Sequence, residues 1–241
     1  MKITEEILST LPDEDIPTRK VLIGAFWTLV MTKGAGLASA FRDEDHQGPP
    51  VKEAGRLEEM GAKELARLAL SPSLLEASVG MAAINSLIEV EEERCEKVNA
   101  FELLAKKGEG KDITIVGHFP FVPELRKIAR ELFVLEKRPR EGDLEANKAE
   151  EVIPRSQVVG ITGTAFINHT LEDLLSLCPP DSFVVLIGPT SPLTPILFDH
   201  GVDAICGSRV IDEQEAARYV IQGATFRQLH PHGVRLLTLV K

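Results

Sequence analysis

The residues best suited to chemistry fall in short clusters, each directly after a Val/Ile-rich run. Gly117-His118-Phe119-Pro120 follows DITIV, and Glu136-Lys137-Arg138-Pro139 follows LFVL. Thr162-Gly163-Thr164, with Asn168-His169-Thr170 beyond it, follows QVVGI. Gly188-Pro189-Thr190-Ser191-Pro192 follows FVVLI, and Cys206-Gly207-Ser208 closes the series. Glycine lets a ligand approach the backbone, while hydroxyl, amide and carboxylate groups supply donors and acceptors. A glycine turn beside a helix start can hold a carboxylate or phosphate through backbone N–H groups. The clusters therefore point to a small-molecule site built from Gly117, His118, Phe119, Glu136, Thr162, Gly163, Thr164, Asn168, Gly188, Pro189, Thr190 and Ser191.

Known signatures fit only in part. Gly117 could open a dinucleotide fingerprint, but Phe119 and Val122 stand where its second and third glycines belong. A side chain at the second position obstructs the pyrophosphate. Glu136 nevertheless lies 19 residues after Gly117, the place of an acid that binds ribose hydroxyls. A nucleoside cofactor such as S-adenosylmethionine or NAD thus remains the alternative ligand, although GHFPFVP lacks the glycine-rich loop of a methyltransferase. His118 is placed to act as a base or metal ligand, and Cys206 could ligate a soft metal. His230-Pro231-His232 has no third ligand at regular spacing, no zinc spacing occurs, and no serine sits in a G-x-S-x-G elbow. Thr170 followed by Asp173 reads as a capped helix start.

The elements that must position these residues show two patterns. Residues 18–41 read as two apolar strands around a Thr32-Lys33-Gly34 turn. Helical spacing follows from Lys52, and a second helix runs from Leu74 to about Lys97. Beyond Gly108 short strands alternate with helices: strands at 112–117, 132–135, 157–162, 182–188, 204–206 and 234–240. Helices are expected near 123–131, from Thr170, and at 213–221. Alternation of this kind predicts a parallel sheet covered on both faces. The expected organisation is α/β, with a small α+β unit (1–107) and a Rossmann-like parallel-sheet unit (108–241).

The chain has 241 residues, with 27 basic and 37 acidic side chains, for a formal charge of −10. That balance argues against a nucleic-acid partner. The longest apolar run, Val21–Met31, is too short to span a bilayer, and the start resembles no signal peptide. Three cysteines without a CxxC pair suit a reducing compartment. A cytoplasmic protein is expected; its oligomeric state is left open.

In order and spacing, Val116-Gly117-His118-Phe119, Leu135-Glu136-x-x-Pro139, Thr162-Gly163-Thr164-x-x-x-Asn168-x-Thr170 and Gly188-Pro189-Thr190-x-Pro192 carry a family resemblance. So does the small-residue run Ala77–Asn85. The sequence resembles the prokaryotic family named for heavy-metal chelation. That resemblance implies an enolase-N-terminal-like first part, a Rossmann-like second part, and a site in the cleft between them. The cleft would be lined by the strand-end loops and by Asn85, with Glu136 facing it. It also implies a small-molecule or metal-chelate ligand, or a divalent heavy metal, and leaves open whether a reaction is catalysed. Asn85 and Asn168, from different parts, are expected to line one cleft.

Overall fold

A computed structural model describes residues 1–13, 15–41 and 50–241. The chain begins with α1 (Lys2–Thr10), which buries Ile3, Ile7 and Leu8 along one side. Three strands follow, β1 (Lys20–Ile23), β2 (Trp27–Met31) and β3 (Ala35–Ser39), paired antiparallel in the order β1-β2-β3. The expected hairpin around Thr32-Lys33-Gly34 is β2–β3. The run before it is two strands rather than one, because a turn closed by the Gly24 N–H on the Trp27 carbonyl divides it.

Next come α2 (Ala62–Ala66) and α3 (Leu74–Leu87), with 3-10 turns at 57–59 and 67–70. The single helix expected from Lys52 is thus broken into short pieces. The second helix stops at Leu87 rather than near Lys97. The charged tract after it offers no apolar stripe to bury, and β4 (Cys95–Glu96) forms instead. α3 is buried almost all round. A Cβ on Gly80 would lie 1.8 Å from the Ala69 nitrogen, and one on Gly36 of β3 2.2 Å from the Ala82 carbonyl oxygen. Both glycines are what let α3 lie directly against its neighbours.

The remaining elements are α4 (Ala100–Gly108), β5 (Asp112–Val116), α5 (Val122–Leu125), β6 (Glu131–Glu136), β7 (Leu144–Glu145) and α6 (Ala149–Val152). Then follow β8 (Val158–Thr162), α7 (Thr164–Ile167), α8 (Leu171–Ser176), β9 (Phe183–Ile187) and α9 (Ile196–Asp199). The chain ends with β10 (Ala204–Val210), α10 (Glu213–Ile221), α11 (Phe226–Leu229) and β11 (Val234–Val240). α4 carries a reciprocal Asn99/Glu102 capping box that sequence reading passed over. The helix expected over 123–131 is one turn, since Glu131 already begins β6.

The large sheet runs β4-β11-β10-β9-β8-β5-β6-β7. β7 to β10 are parallel, and β11 and β4 add antiparallel strands at one side. Numbered along the chain from β5, the parallel strands stand 3-2-1-4-5-6, the order of a doubly wound sheet. The chain moves from β5 to one side through β6 and β7, then resumes at β8 on the other. The crevice between β5 and β8 is therefore the topological switch point. β4, ahead of the expected division at 107/108, already pairs with β11.

The small sheet is covered on both faces. Val30 and Ala38 belong to the core that contains α3, whereas Leu29, Met31 and Leu37 pack with Ala216 and Val220 of α10 and Leu229 of α11. Alternation of side chains between two covered faces explains why residues 28–31 of β2 are all buried. α10 and α11 pack on the small sheet, and β11 then returns antiparallel beside β10.

Candidate functional site

The carboxyl ends of β5, β6, β8 and β9 lie side by side, and the clusters singled out by type sit on them. Gly117 extends β5 by one hydrogen bond, its N–H donating to the Leu135 carbonyl, and then turns at φ +104°. Gly163 and Gly188 do the same for β8 and β9, donating to Ile187 and Cys206. Gly188 has φ +111°, and a Cβ there would meet only open space. A Cβ on Gly117 would lie 3.1 Å from the Thr162 Cβ across the switch point. Left-handed backbone at both positions favours glycine.

His118 is fixed twice. Its N–H donates to Glu136 Oε1 at 2.6 Å, and its ring Nδ1 lies 2.9 Å from Asp143 Oδ2. The Asp143 side chain is only 1% exposed, and the same oxygen accepts from the Arg140 N–H at 3.1 Å. Sequence reading missed Asp143, which lies in a charged tract; its signal was the Gly142-Asp143 turn, with Gly142 at φ +85°. Phe119 stacks on Phe121, 5.2 Å between centroids and 3° between planes, which fixes the chain after His118. Glu136 is half-buried.

At the end of β8 the hydroxyls of Thr162 and Thr164 face each other at 3.0 Å, both half-buried. Gly163 lets the next loop approach, since a Cβ there would lie 2.4 Å from Ser191 Oγ. The hydroxyls of that loop do not project into open space. Thr190 accepts from the Ser39 N–H at 3.0 Å and donates to Ser39 Oγ at 3.3 Å, while the Ser191 hydroxyl is buried without a partner among the described residues. Pro189 is buried with them. These three residues lie under the end of β3 and α3.

Asn85 bridges the same junction. Its amide nitrogen donates to the carbonyls of Leu37, Pro189 and Thr190 at 2.9, 3.2 and 3.3 Å. Among the described residues its Oδ1 has no hydrogen-bond partner. Asn168 is used locally: its Oδ1 accepts from the Thr170 hydroxyl at 2.6 Å and the Thr170 N–H at 3.3 Å. The expected Thr170 cap with Asp173 is not made: the hydroxyl is turned to donate to Asn168, and Thr170 is already helical, at φ −100° and ψ −3°, rather than extended as a cap residue is.

The thiols are poor ligands at neutral pH. Cys206 is buried in the core, and burial pushes its thiol up to about 11, as it does that of Cys178. His230 packs edge-on against Phe226, and His232 stacks on Tyr219 at 4.5 Å. Among the described residues no three His, Cys, Asp or Glu side chains are grouped to hold a metal ion. A shallow pocket lies between the N-terminus with α1 and the α7–α8 segment, lined by residues including Ile3, Phe166 and His169.

Fold and site together define an α/β protein with a doubly wound sheet and an antiparallel unit seated by its strand-end loops. Two family models, both described as "Putative heavy-metal chelation", match residues 4–88 and 99–238, and the chain belongs to that family. A crystal structure of a protein of unknown function from Desulfitobacterium hafniense is similar over 100% of this chain and 98% of its own, with a TM-score of 0.88 and 26% identity. One from Pyrococcus horikoshii, also of unknown function, covers the same shares at a TM-score of 0.82 and 20% identity, which speaks to the fold alone. An uncharacterised protein of Methanocaldococcus jannaschii is 28% identical over 165 residues, 66% of this chain and 64% of that protein. Among the described residues no helix is long and apolar enough to cross a membrane.

Proposed function

We propose that this protein binds a small organic ligand rich in oxygen donors, or the metal chelate of such a ligand, where the strand ends meet the antiparallel unit. The supporting observation is the row of strand ends at the switch point: Gly117, Glu136, the Thr162/Thr164 hydroxyl pair and Gly188 on neighbouring strands. Ligands of open parallel sheets bind beyond the carboxyl ends, at such a crevice. The family description favours a metal-bearing ligand. The donor set favours a metal delivered already chelated, because the residues supply oxygens and one imidazole rather than a closed ligand sphere. A nucleoside cofactor is less well served: one Glu136 oxygen is taken by the His118 N–H, and Phe119 stands where a pyrophosphate would need glycine. On this reading the division into two units falls at the β3–α3 contact with the Gly188–Thr190 loop.

A thermal-shift screen of free divalent ions, metal citrates, metal-free citrate, nucleotides and S-adenosylmethionine tests the proposal. A ligand at about 100 times its Kd adds roughly 2.7 kcal/mol of stability. The expected result is a shift with an oxygen-rich ligand or its chelate, lost in Thr164→Val, whose unliganded melting temperature stays near wild type. No shift with any compound, or an equal shift in the variant, would overturn it.

A further inference from the structure

The surroundings of His118 narrow the role that its strand-end position leaves open between base and metal ligand. Its Nδ1 faces a carboxylate, which can only accept, so Nδ1 holds the proton and donates. In the neutral imidazole the other nitrogen, Nε2, is then a bare lone pair. No hydrogen-bond partner among the described residues reaches it, and the side chain is 19% exposed. The ring is held rigidly: Asp143 is buried and itself anchored by the Arg140 N–H, and the His118 main chain is pinned by Glu136. A histidine whose outer nitrogen is bare and whose inner nitrogen donates to a carboxylate is the arrangement that raises ligand basicity and fixes ring direction at metal sites. Yet no second and third protein ligand stands beside it.

We propose that His118 Nε2 is the protein's one ligand to the metal of a chelate, entering a coordination position that the chelator leaves open, with Asp143 as its positioning residue. The proposal rests on the strand-end reading and names the group that recognises the metal. One imidazole cannot compete for a free ion against water and buffer as a closed site can. It can distinguish a chelate with a vacant position from one that is coordinatively full. The protein thereby selects the loaded chelate rather than the ion.

The probe is Cu(II)–iminodiacetate, a tridentate chelate with an open equatorial position, followed by electron paramagnetic resonance and by titration. Wild type is expected to add one imidazole nitrogen to the copper spectrum. His118→Gln, which keeps a donor toward Asp143 and hence the fold, should weaken binding at least tenfold, the remaining histidines giving the residual. Asp143→Asn should weaken it by about 10–100-fold and change the His118 tautomer seen by ¹⁵N NMR, a readout that a merely structural aspartate would not move. Cu(II) ethylenediaminetetraacetate, with no open position, should not bind. Equal binding by wild type and His118→Gln, or binding of the full chelate, overturns the proposal. If metal-free citrate stabilises wild type and His118→Gln alike while the copper spectrum is unchanged, the strand-end site stands and the His118 assignment falls. If no ligand shifts the melting temperature and the copper spectrum gains no imidazole nitrogen, the strand-end reading falls and the His118 assignment with it.

Discussion

Two buried polar side chains, at opposite ends of the large sheet, show how differently such groups are satisfied. Ser191 is 1% exposed, and its hydroxyl, pressed against Gly163, has no partner among the described residues. A buried hydroxyl without a hydrogen bond costs free energy that its removal recovers. Ser191→Ala is therefore expected to leave stability unchanged or raise it by up to about 1 kcal/mol, as chemical denaturation would report. A clear loss would show that the hydroxyl is bonded in solution. Asp112 is the opposite case. Arg130 donates to it through Nε at 2.8 Å and Nη2 at 2.6 Å, and these bonds hold its carboxyl below the usual carboxylate range, against the effect of its own burial. A depressed folded value means that the ion pair's contribution is present above the unfolded pKa, near 4, and is lost as pH falls through the folded value. Wild type should exceed Asp112→Asn in stability most at pH 6–7, with the gap closing below about pH 4. A gap of constant size from pH 7 to pH 3 would contradict this.

At the scale of elements, α3 decides how the molecule is assembled, and it does so through glycine. A methyl group at Gly80 would strike the backbone of Ala69 at 1.8 Å, which no rotamer change can relieve. Overpacking commonly costs about 1–3 kcal/mol, and contact with backbone puts Gly80→Ala at or above the upper end. Its denaturation midpoint should fall sharply, whereas Gly110→Ala, where a Cβ would meet only open space, pays just the strain of φ +68°. Equal effects would deny α3 its tight seat. The helix also shows what was legible in the sequence. Its small residues announced close packing, and β5, β8, β9 and the 213–221 helix could be read from apolar runs and spacing alone. The strand-end clusters were readable because chain order brings them to one edge of a parallel sheet. α1 and α4 were missed, since neither is marked by a long apolar run, and β1 was merged with β2 because one apolar run covers both. The antiparallel return of β11 depends on where α10 packs, a tertiary choice that local pattern does not carry. Asp143 reaches His118 from 25 residues away across a loop, and Asn168 gives its oxygen to Thr170; neither is visible in spacing.

At the scale of the whole molecule, the two sheets are more interlocked than a division into halves suggests. One core cluster runs from Ile7 and Leu65 through Met81 and Ile84 to Ile161, Leu186, Ile205 and Leu239, taking in both sheets. The chain's C-terminal helices cover the outer face of the N-terminal sheet, and Trp27 Nε1 donates to the Ala224 carbonyl at 3.1 Å. Asn85 ties β3 to the loop after β9, with Ser39 and Thr190 beside it. Unfolding the antiparallel unit alone would expose one face of α10 and α11 and strip the cover from the Gly188–Thr194 loop, whose residues 189–194 are all buried. Neither unit can therefore leave without exposing apolar surface on the other, and at roughly 25 cal/mol per Å² such exposure couples their stabilities. Calorimetry should show a single heat-absorption peak whose van't Hoff and calorimetric enthalpies agree. Asn85→Ala, which removes the amide donor shared among the Leu37, Pro189 and Thr190 carbonyls at the junction, should lower that peak's temperature by the equivalent of about 1–3 kcal/mol without splitting it. Two resolved transitions in the wild type would mean that the units fold independently and that the shared core contributes little. A split appearing only in Asn85→Ala would mean instead that the amide bridge, rather than the apolar core, is what makes them unfold together.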